Sequence, residues 1–468
     1  MIPTLDFQER SLIGPVMKMD EFDLALAKKV RALVKKYEIK YNPEELLPDD
    51  ATADAVFQAG CELLADIGIL NIETSRVIQL TKEEIAQVCK EYSDNPPSVT
   101  FGRAEDAHTV VYRPEQDPRC PANWANAAGV IGEDWIIPYV QSWAQEPVIQ
   151  GFGISGGIAS VGGVVPKAGC PSEISCGIWE QQAVKEAVRR AGRPNIHLGL
   201  IPTVSTTGGT LAVIGSGLRE PFNTQVGIHI IPEMKIDWTR FNLAVAIQQR
   251  GIEPWTSTMS LLGGLCGGPA GVAVGMMANF IGQLSYAHGR LGSFYVNDMT
   301  GRASHREALW SYAASFRAVN RNIKVITGTC CSDSGPVFSK EEPVVRGIAM
   351  AIVMTACGGG YTWAAGNSGI TARLHKDVMT NVAPLSRDKV NVMLEAISKK
   401  LEEMDQPGGE RLPWSELGFH TRYDISEYKG GPVKPQQKHI DDVKKGAEIL
   451  ASLGVPVSKD LELDPGIK

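Results

Sequence analysis

Two histidines stand inside apolar runs where an aliphatic residue would be ordinary: His197 within Asn195–Pro202 and His229 within Thr224–Glu233. Imidazole titrates near neutrality, so it can move a proton, hold a metal or polarise an oxygen. Other short apolar runs end in, or are closely followed by, polar residues: Glu233, Asn297, Asp298, the pair Cys330–Cys331, Asp333 and Asn367. If these runs are the strands of a barrel, such residues face its catalytic mouth. His197, His229 and Asp298 are then the expected catalytic groups. His229, Glu233 and Cys331 could share a catalytic zinc, which accepts nitrogen, oxygen and sulfur ligands and keeps one position open, although no HExxH or CxxC spacing supports it. Each has a plainer reading: a satisfied core histidine, an inert buried thiol, a carboxylate that merely begins a loop. Aromatics gather near the same strand ends, and Trp255, Tyr295, Tyr361 and Trp363, with Asn297, are the expected substrate-binding set. Such rings can floor an aromatic substrate or cage a methylated cation; ordinary barrel packing explains any one of them as well.

The elements that must position these residues follow a strand–loop–helix rhythm. Apolar runs at 147–153, 195–202, 224–231, 254–260, 292–298, 323–331 and 359–365 read as buried parallel strands. Helical patterns at 179–191, 238–250, 272–287, 304–319, 343–356 and 388–404 alternate with them. Seven strands in that rhythm fit an α/β chain folded as a TIM (β/α)8 barrel better than a doubly wound sheet. The eighth strand is not obvious, and Trp135–Tyr139 is one place for it. Ahead of the barrel come amphipathic helices at 22–37 and 52–67, the capping box Thr81–Glu84 opening a third helix, and two strand-like pieces joined by GRAEDAH. The expected organisation is an N-terminal, mainly helical α/β extension over 1–140, the barrel over 141–405, and a C-terminal excursion with a closing helix over 406–468.

Composition excludes several function classes. The net charge of −7 gives no electrostatic case for nucleic acid. The uncharged stretches 254–289 and 347–372 are Gly-rich and broken by polar residues, so they read as core helices rather than membrane spans. The opening MIPTLDFQERS lacks a basic-then-apolar leader pattern. Nine cysteines without a regular framework suggest reduced thiols, and with them a cytoplasmic protein. No nucleotide-binding GxGxxG or GxxxxGK[ST] motif follows a strand.

In order and spacing, TADAVFQAGCELLADIGI, TSRVIQLTKEEI, AGRP, PEMKID, LLGGLCGG and ITGTCCSDSGP resemble the monomethylamine:corrinoid methyltransferase family over roughly residues 20–455. The resemblance implies a TIM barrel whose mouth receives a small corrinoid protein, a methyl group passing from substrate to cobalt(I), and, by analogy, a homo-oligomer. It also implies a departure. The family's pyrrolysine falls near Gly199, its two carboxylates near Gly227 and Ser257, and its glutamine near Cys330, so the amine-binding apparatus is replaced. Strand side chains alternate, which puts His197 and His229 on the faces of Gly199 and Gly227. Cobalt(I) is a strong nucleophile, so the leaving group decides the substrate. A phenolate, the conjugate base of an acid of pKa about 10, leaves readily with help from an acid, which makes a methoxylated aromatic compound (O-demethylation) the first expectation, polarised by histidine with Asp298 or zinc. A methylated amine or betaine caged by Trp255, Tyr361 and Trp363 is the second. A non-catalytic module that docks a corrinoid protein is the third.

Overall fold

The computed structural model describes residues 2–463 apart from 333, 365, 406–408 and 427. Asp333 therefore lies outside the described residues. Seven parallel strands carry the barrel: β1 (Ala122–Ile131), β2 (Gly151–Ile158), β3 (Gln225–Gly227), β4 (Glu253–Leu261), β5 (Leu291–Asn297), β6 (Ile326–Cys330) and β7 (Tyr361–Ala364). They pair in the spatial order β2-β1-β7-β6-β5-β4-β3. The ring is closed by the extended residues 196–200, which bridge β2 through Gly151–His197 and Ile154–Leu200. On their other side, Leu198 N donates to Asn223 O at 2.9 Å and Gln225 N donates to Gly199 O at 3.1 Å. Eight staves thus make a (β/α)8 barrel.

The expected eighth strand at Trp135–Tyr139 is a correction. Trp135 caps the helix Ile136–Ala144, and the missing stave is β1, upstream of residue 141 and inside the segment assigned to the extension. The sequence ANWANAAGVI of β1 is rich in alanine and asparagine rather than β-branched residues, so it lacks the usual strand signature.

The N-terminal helices wrap the outside. Helix Asp50–Ile67 has Asp49 as N-cap, accepting from Thr52 N, and buries Val56, Ala59, Gly60 and Leu63. Gly60 lies against Met277 of helix Pro269–Ala287, where even a methyl group would collide with the Met277 side chain at 2.5 Å. Helix Met19–Lys36 buries Phe22, Leu26, Val30 and Leu33, while Leu24 is exposed. The Thr81–Glu84 capping box forms as read. The pieces around GRAEDAH form an antiparallel hairpin, Ser98–Phe101 with His108–Val111. Phe101 meets the Trp124 ring edge-on at 5.2 Å and the His197 ring at 4.2 Å, so the hairpin stoppers the N-terminal end of the barrel. The helix Pro269–Ala287 falls within the first uncharged stretch and is almost wholly buried. No helix among the described residues is long and apolar enough to cross a membrane.

Candidate active site

Contacts between side chains on non-adjacent strands must cross the barrel interior, and they sort the candidates by depth. Trp124 on β1 lies 4.8 Å from His197, two staves away, and 4.7 Å from Tyr361 on β7. The Tyr361 hydroxyl donates to Gly292 O at 3.0 Å and accepts from Trp255 Nε1 at 2.9 Å. Above this layer, Trp363 meets Trp255 at 4.9 Å and 75° and Tyr295 at 6.3 Å. Tyr361 is therefore a cross-beam beneath the aromatic floor rather than part of its surface, a correction to its expected role as a substrate contact. Trp255, Trp363 and Tyr295 do converge. The Trp363 indole N–H is buried without a hydrogen-bond partner, and an unpaired buried donor is costly to leave unmade.

The two histidines occupy different levels. His197 is completely buried beside Phe101, at the stoppered end. Its Nε2–H donates to Gln225 Oε1 at 3.1 Å. Burial, reinforced by the neighbouring His108, pushes its pKa well below the ordinary range. It is inward-facing, as alternation requires, yet far below the mouth, which removes it from the catalytic role expected of it. His229 sits higher, its ring 6.2 Å from Trp255 and at 71° to it. Burial, with the charge of Arg240 next, brings its pKa down to about 4, against a hydrogen bond with the Ser257 backbone. It is neutral at pH 7, and its Nδ1 is buried without a partner. A Cβ at Gly227 would stand 2.4 Å from His229 Nε2. The imidazole thus fills the space a side chain at 227 would use.

Position 199 is closed to side chains altogether. Gly199 has φ +65°, and a Cβ there would lie 2.1 Å from Gly153 O and 2.4 Å from Phe152 O. Its carbonyl accepts from the buried Arg219 guanidinium at 2.9 Å.

The remaining candidates separate. Asp298 ties its own loop: its Oδ1 accepts from Thr300 N and Thr300 Oγ1, both at 2.7 Å, and from Arg302 N at 3.1 Å. Burial would raise its pKa, but those bonds outweigh it and hold the group ionised. It is a turn-forming carboxylate, not the acid expected of it. Asn297 ends β5, where its carbonyl accepts from Leu262 N at 2.9 Å. Asn367 O accepts from Arg422, and the residue lines a separate cavity of about 290 Å³ beneath the C-terminal excursion.

The proposed zinc ligands do not assemble. Among the described residues no three His, Cys, Asp or Glu side chains converge in a metal-binding arrangement. Glu233 is engaged with the Ser260 hydroxyl, on the opposite face of β4 from Trp255, and Cys331 is a fully buried thiol whose pKa burial raises well above the ordinary value. Cys330, also buried, lies 3.2 Å from the Ser332 hydroxyl.

A cavity of about 270 Å³ opens where residues 196–200 and β3 diverge, beside the first turns of helices Thr207–Gly215 and Trp238–Arg250. Ser205, Thr210, Gln225, His229, Thr239 and Arg240 supply its polar lining. Sequence reading missed Gln225 and Arg240. Gln225 was legible by stepping back along the strand from His229 through Gly227, and Arg240 by its place three residues after the helix cap Asp237. Around the C-terminal face the strand ends and loops expose Val130, Val164, Val165, Met259, Leu265 and Met299.

The profile of the monomethylamine methyltransferase MtmB family matches residues 2–455. Monomethylamine methyltransferase MtmB2 of Methanosarcina acetivorans is 25% identical, with 95% of this chain and 97% of that protein covered. Monomethylamine methyltransferase MtmB of Methanosarcina mazei is 26% identical over the same shares. The crystal structure of the Methanosarcina barkeri monomethylamine methyltransferase (MtmB) superposes with a TM-score of 0.85 at 21% identity, covering 97% of this chain and 99% of that one. The hydroxylamine MtmB complex superposes with a TM-score of 0.84. With the barrel, its closed end and its aromatic floor in place, the chain belongs to the monomethylamine methyltransferase MtmB family and is a methyltransferase.

Proposed function

We propose that this chain transfers a methyl group from a quaternary ammonium compound to the corrinoid of a small partner protein docked at the C-terminal face of the barrel. The observation that carries the reading is the convergence of Trp255, Trp363 and Tyr295 from three strands. The faces of such rings attract a methylated cation, by about 2 kcal/mol or more once water is excluded. A corrinoid held by the docked partner would supply the nucleophile that takes the methyl group, and a quaternary nitrogen would then leave as a neutral tertiary amine, needing no proton from the protein. The rings orient the N–CH3 bond and keep water away. Val130, Val164 and Met299, exposed on the rim, offer the apolar contact that a docked protein would cover.

A methoxylated aromatic donor is the weaker reading, because its leaving oxygen needs an acid. His229 is held neutral, and His197 lies at the closed end. The proposal is tested by anaerobic methyl transfer to cob(I)alamin from quaternary amines, methylamine and methoxybenzoates, in wild type and Trp363→Leu. Transfer from a quaternary amine, reduced about tenfold or more in Trp363→Leu, is expected. Transfer from methoxybenzoates alone would overturn the reading.

A further inference from the structure

We propose that Cys61 and Cys89 form a redox-active dithiol on the N-terminal layer, which a low-molecular-weight disulfide converts into an intramolecular Cys61–Cys89 disulfide. Neither thiol belongs to the barrel mouth, and the pair stands whatever methyl donor the chain uses.

All nine cysteines are free thiols in this structure. Two of them line one cavity of about 340 Å³ between helices Asp50–Ile67 and Lys82–Asp94. Phe57 and Cys61 border it from the first helix, Ile85 and Cys89 from the second. A spacing of four residues keeps each pair on one helix face, so the two faces confront one another with a thiol on each. The thiols meet: Cys89 donates its S–H to Cys61, and this bond, with burial next, pushes the Cys89 thiol well above its ordinary range. Cys61 is partly exposed, whereas Cys89 is 6% exposed. The pair therefore divides into the two roles of thiol–disulfide exchange, an accessible attacking thiol and a resolving thiol kept protonated until its neighbour has reacted. The vicinal cysteines of β6 are arranged otherwise. Both are buried, and Cys330 Sγ lies against the Ser332 hydroxyl at 3.2 Å while Cys331 Sγ lies 3.9 Å from Thr329 O.

The exchange balances in two steps. Cys61, as the thiolate, attacks one sulfur of the small disulfide; that S–S bond breaks, a mixed disulfide forms on Cys61 and one small thiolate leaves. Cys89 then gives its proton to the departed thiolate and attacks Cys61 Sγ, which breaks the mixed disulfide and releases the second small thiolate. Two protein thiols are oxidised, and one small disulfide is reduced to two thiols. The loop closed in this way, residues 61–89, carries the antiparallel hairpin of Ile69–Asn71 with Arg76–Ile78. Leu70 and Asn71 of that hairpin pair in parallel with Lys235 and Ile236, and Gly60, next to Cys61, lies against Met277. The cross-link thus ties elements already anchored on the barrel wall, and it restricts the unfolded chain far more than the folded one.

The test treats the folded full-length protein with oxidised glutathione, followed by alkylation of the remaining thiols, digestion and mass spectrometry. A peptide pair joined through Cys61 and Cys89, lighter by two hydrogen atoms than its reduced parts, is expected. Cys170, exposed on the surface, is the internal control and should stop at the mixed disulfide. In Cys89→Ala the mixed disulfide should persist on Cys61, and in Cys61→Ser residue 89 should stay reduced. Closure should raise the melting midpoint of the wild type by about 2 °C or more, reversibly with dithiothreitol, and leave Cys61→Ser unchanged. The melting curves of the reduced variants establish that each is folded. Glutathione on Cys170 without a Cys61–Cys89 link would overturn the proposal. So would a stable glutathione adduct on Cys61 in the wild type, or a midpoint that rises equally in Cys61→Ser.

Discussion

Replacing Gly199 by alanine should damage the barrel at the position that resemblance matches to pyrrolysine. The backbone there sits at φ +65°, which costs an L-residue about 1–2 kcal/mol. The added methyl carbon would stand 2.1 Å from Gly153 O, so the 196–200 segment must retreat from β2 by more than 1 Å to reach the 3.4 Å of ordinary contact. Two hydrogen bonds span that seam, Phe152 N to His197 O at 2.9 Å and Leu200 N to Gly153 O at 2.8 Å. Each is worth about 1 kcal/mol. Together with the backbone strain, the expected loss is about 3–4 kcal/mol. Urea unfolding followed by tryptophan fluorescence reads this as a lower midpoint at unchanged slope. A variant within about 0.5 kcal/mol of wild type, the scatter of an ordinary surface substitution, would refute the reasoning and reopen position 199 to larger side chains.

Stability should fall as the medium is acidified, beginning above the carboxylate range. Burial lowers the pKa of His108 and His229 to about 4, of His375 and His439 to about 3, and of His197 well below the ordinary range. The unfolded chain takes up those protons first, so this contribution is fully present above about pH 6.5 and is lost as pH falls through the folded values. Glu180, lifted by burial to about 7, and the upward shifts of Glu146, Glu233 and Glu253 act in the opposite direction and reduce the net loss. A melting midpoint flat from pH 7 to pH 4 would contradict this. His197→Ala should lower stability by about 2–4 kcal/mol, the range for emptying a packed ring site. Full stability together with abolished transfer would return His197 to the chemistry.

Much of the barrel was legible because its strands are short apolar runs between well-bounded helices. Trp238–Arg250 was read with the ends it has, since Asp237 caps it and Gly251 closes it in the left-handed conformation. Helix Thr207–Gly215 escaped because its Gly- and Thr-rich sequence TGGTLAVIG carries little helical preference, and tertiary packing decides its state. In the site, alternation correctly turned His197 and His229 inward but said nothing of depth. Depth comes from register: Trp124 pairs with Gly151 and Gly151 with His197, which sets that imidazole one layer above the hairpin. Asp298 misled for a related reason. A carboxylate just past a strand end can face a substrate or bind the backbone of its own turn, and only the turn geometry at Thr300 and Arg302 distinguishes the two.

The hairpin that carries Phe101 makes the barrel a blind tube. Nothing can pass through it end to end, so on the proposed reading a donor would enter by the same face that a partner protein would cover. A protein seated on the rim would trap the spent amine beneath it unless it lifts off after every turnover. The lateral opening beside Arg240 is the remaining way out, and its width would then set how often the two proteins must part company.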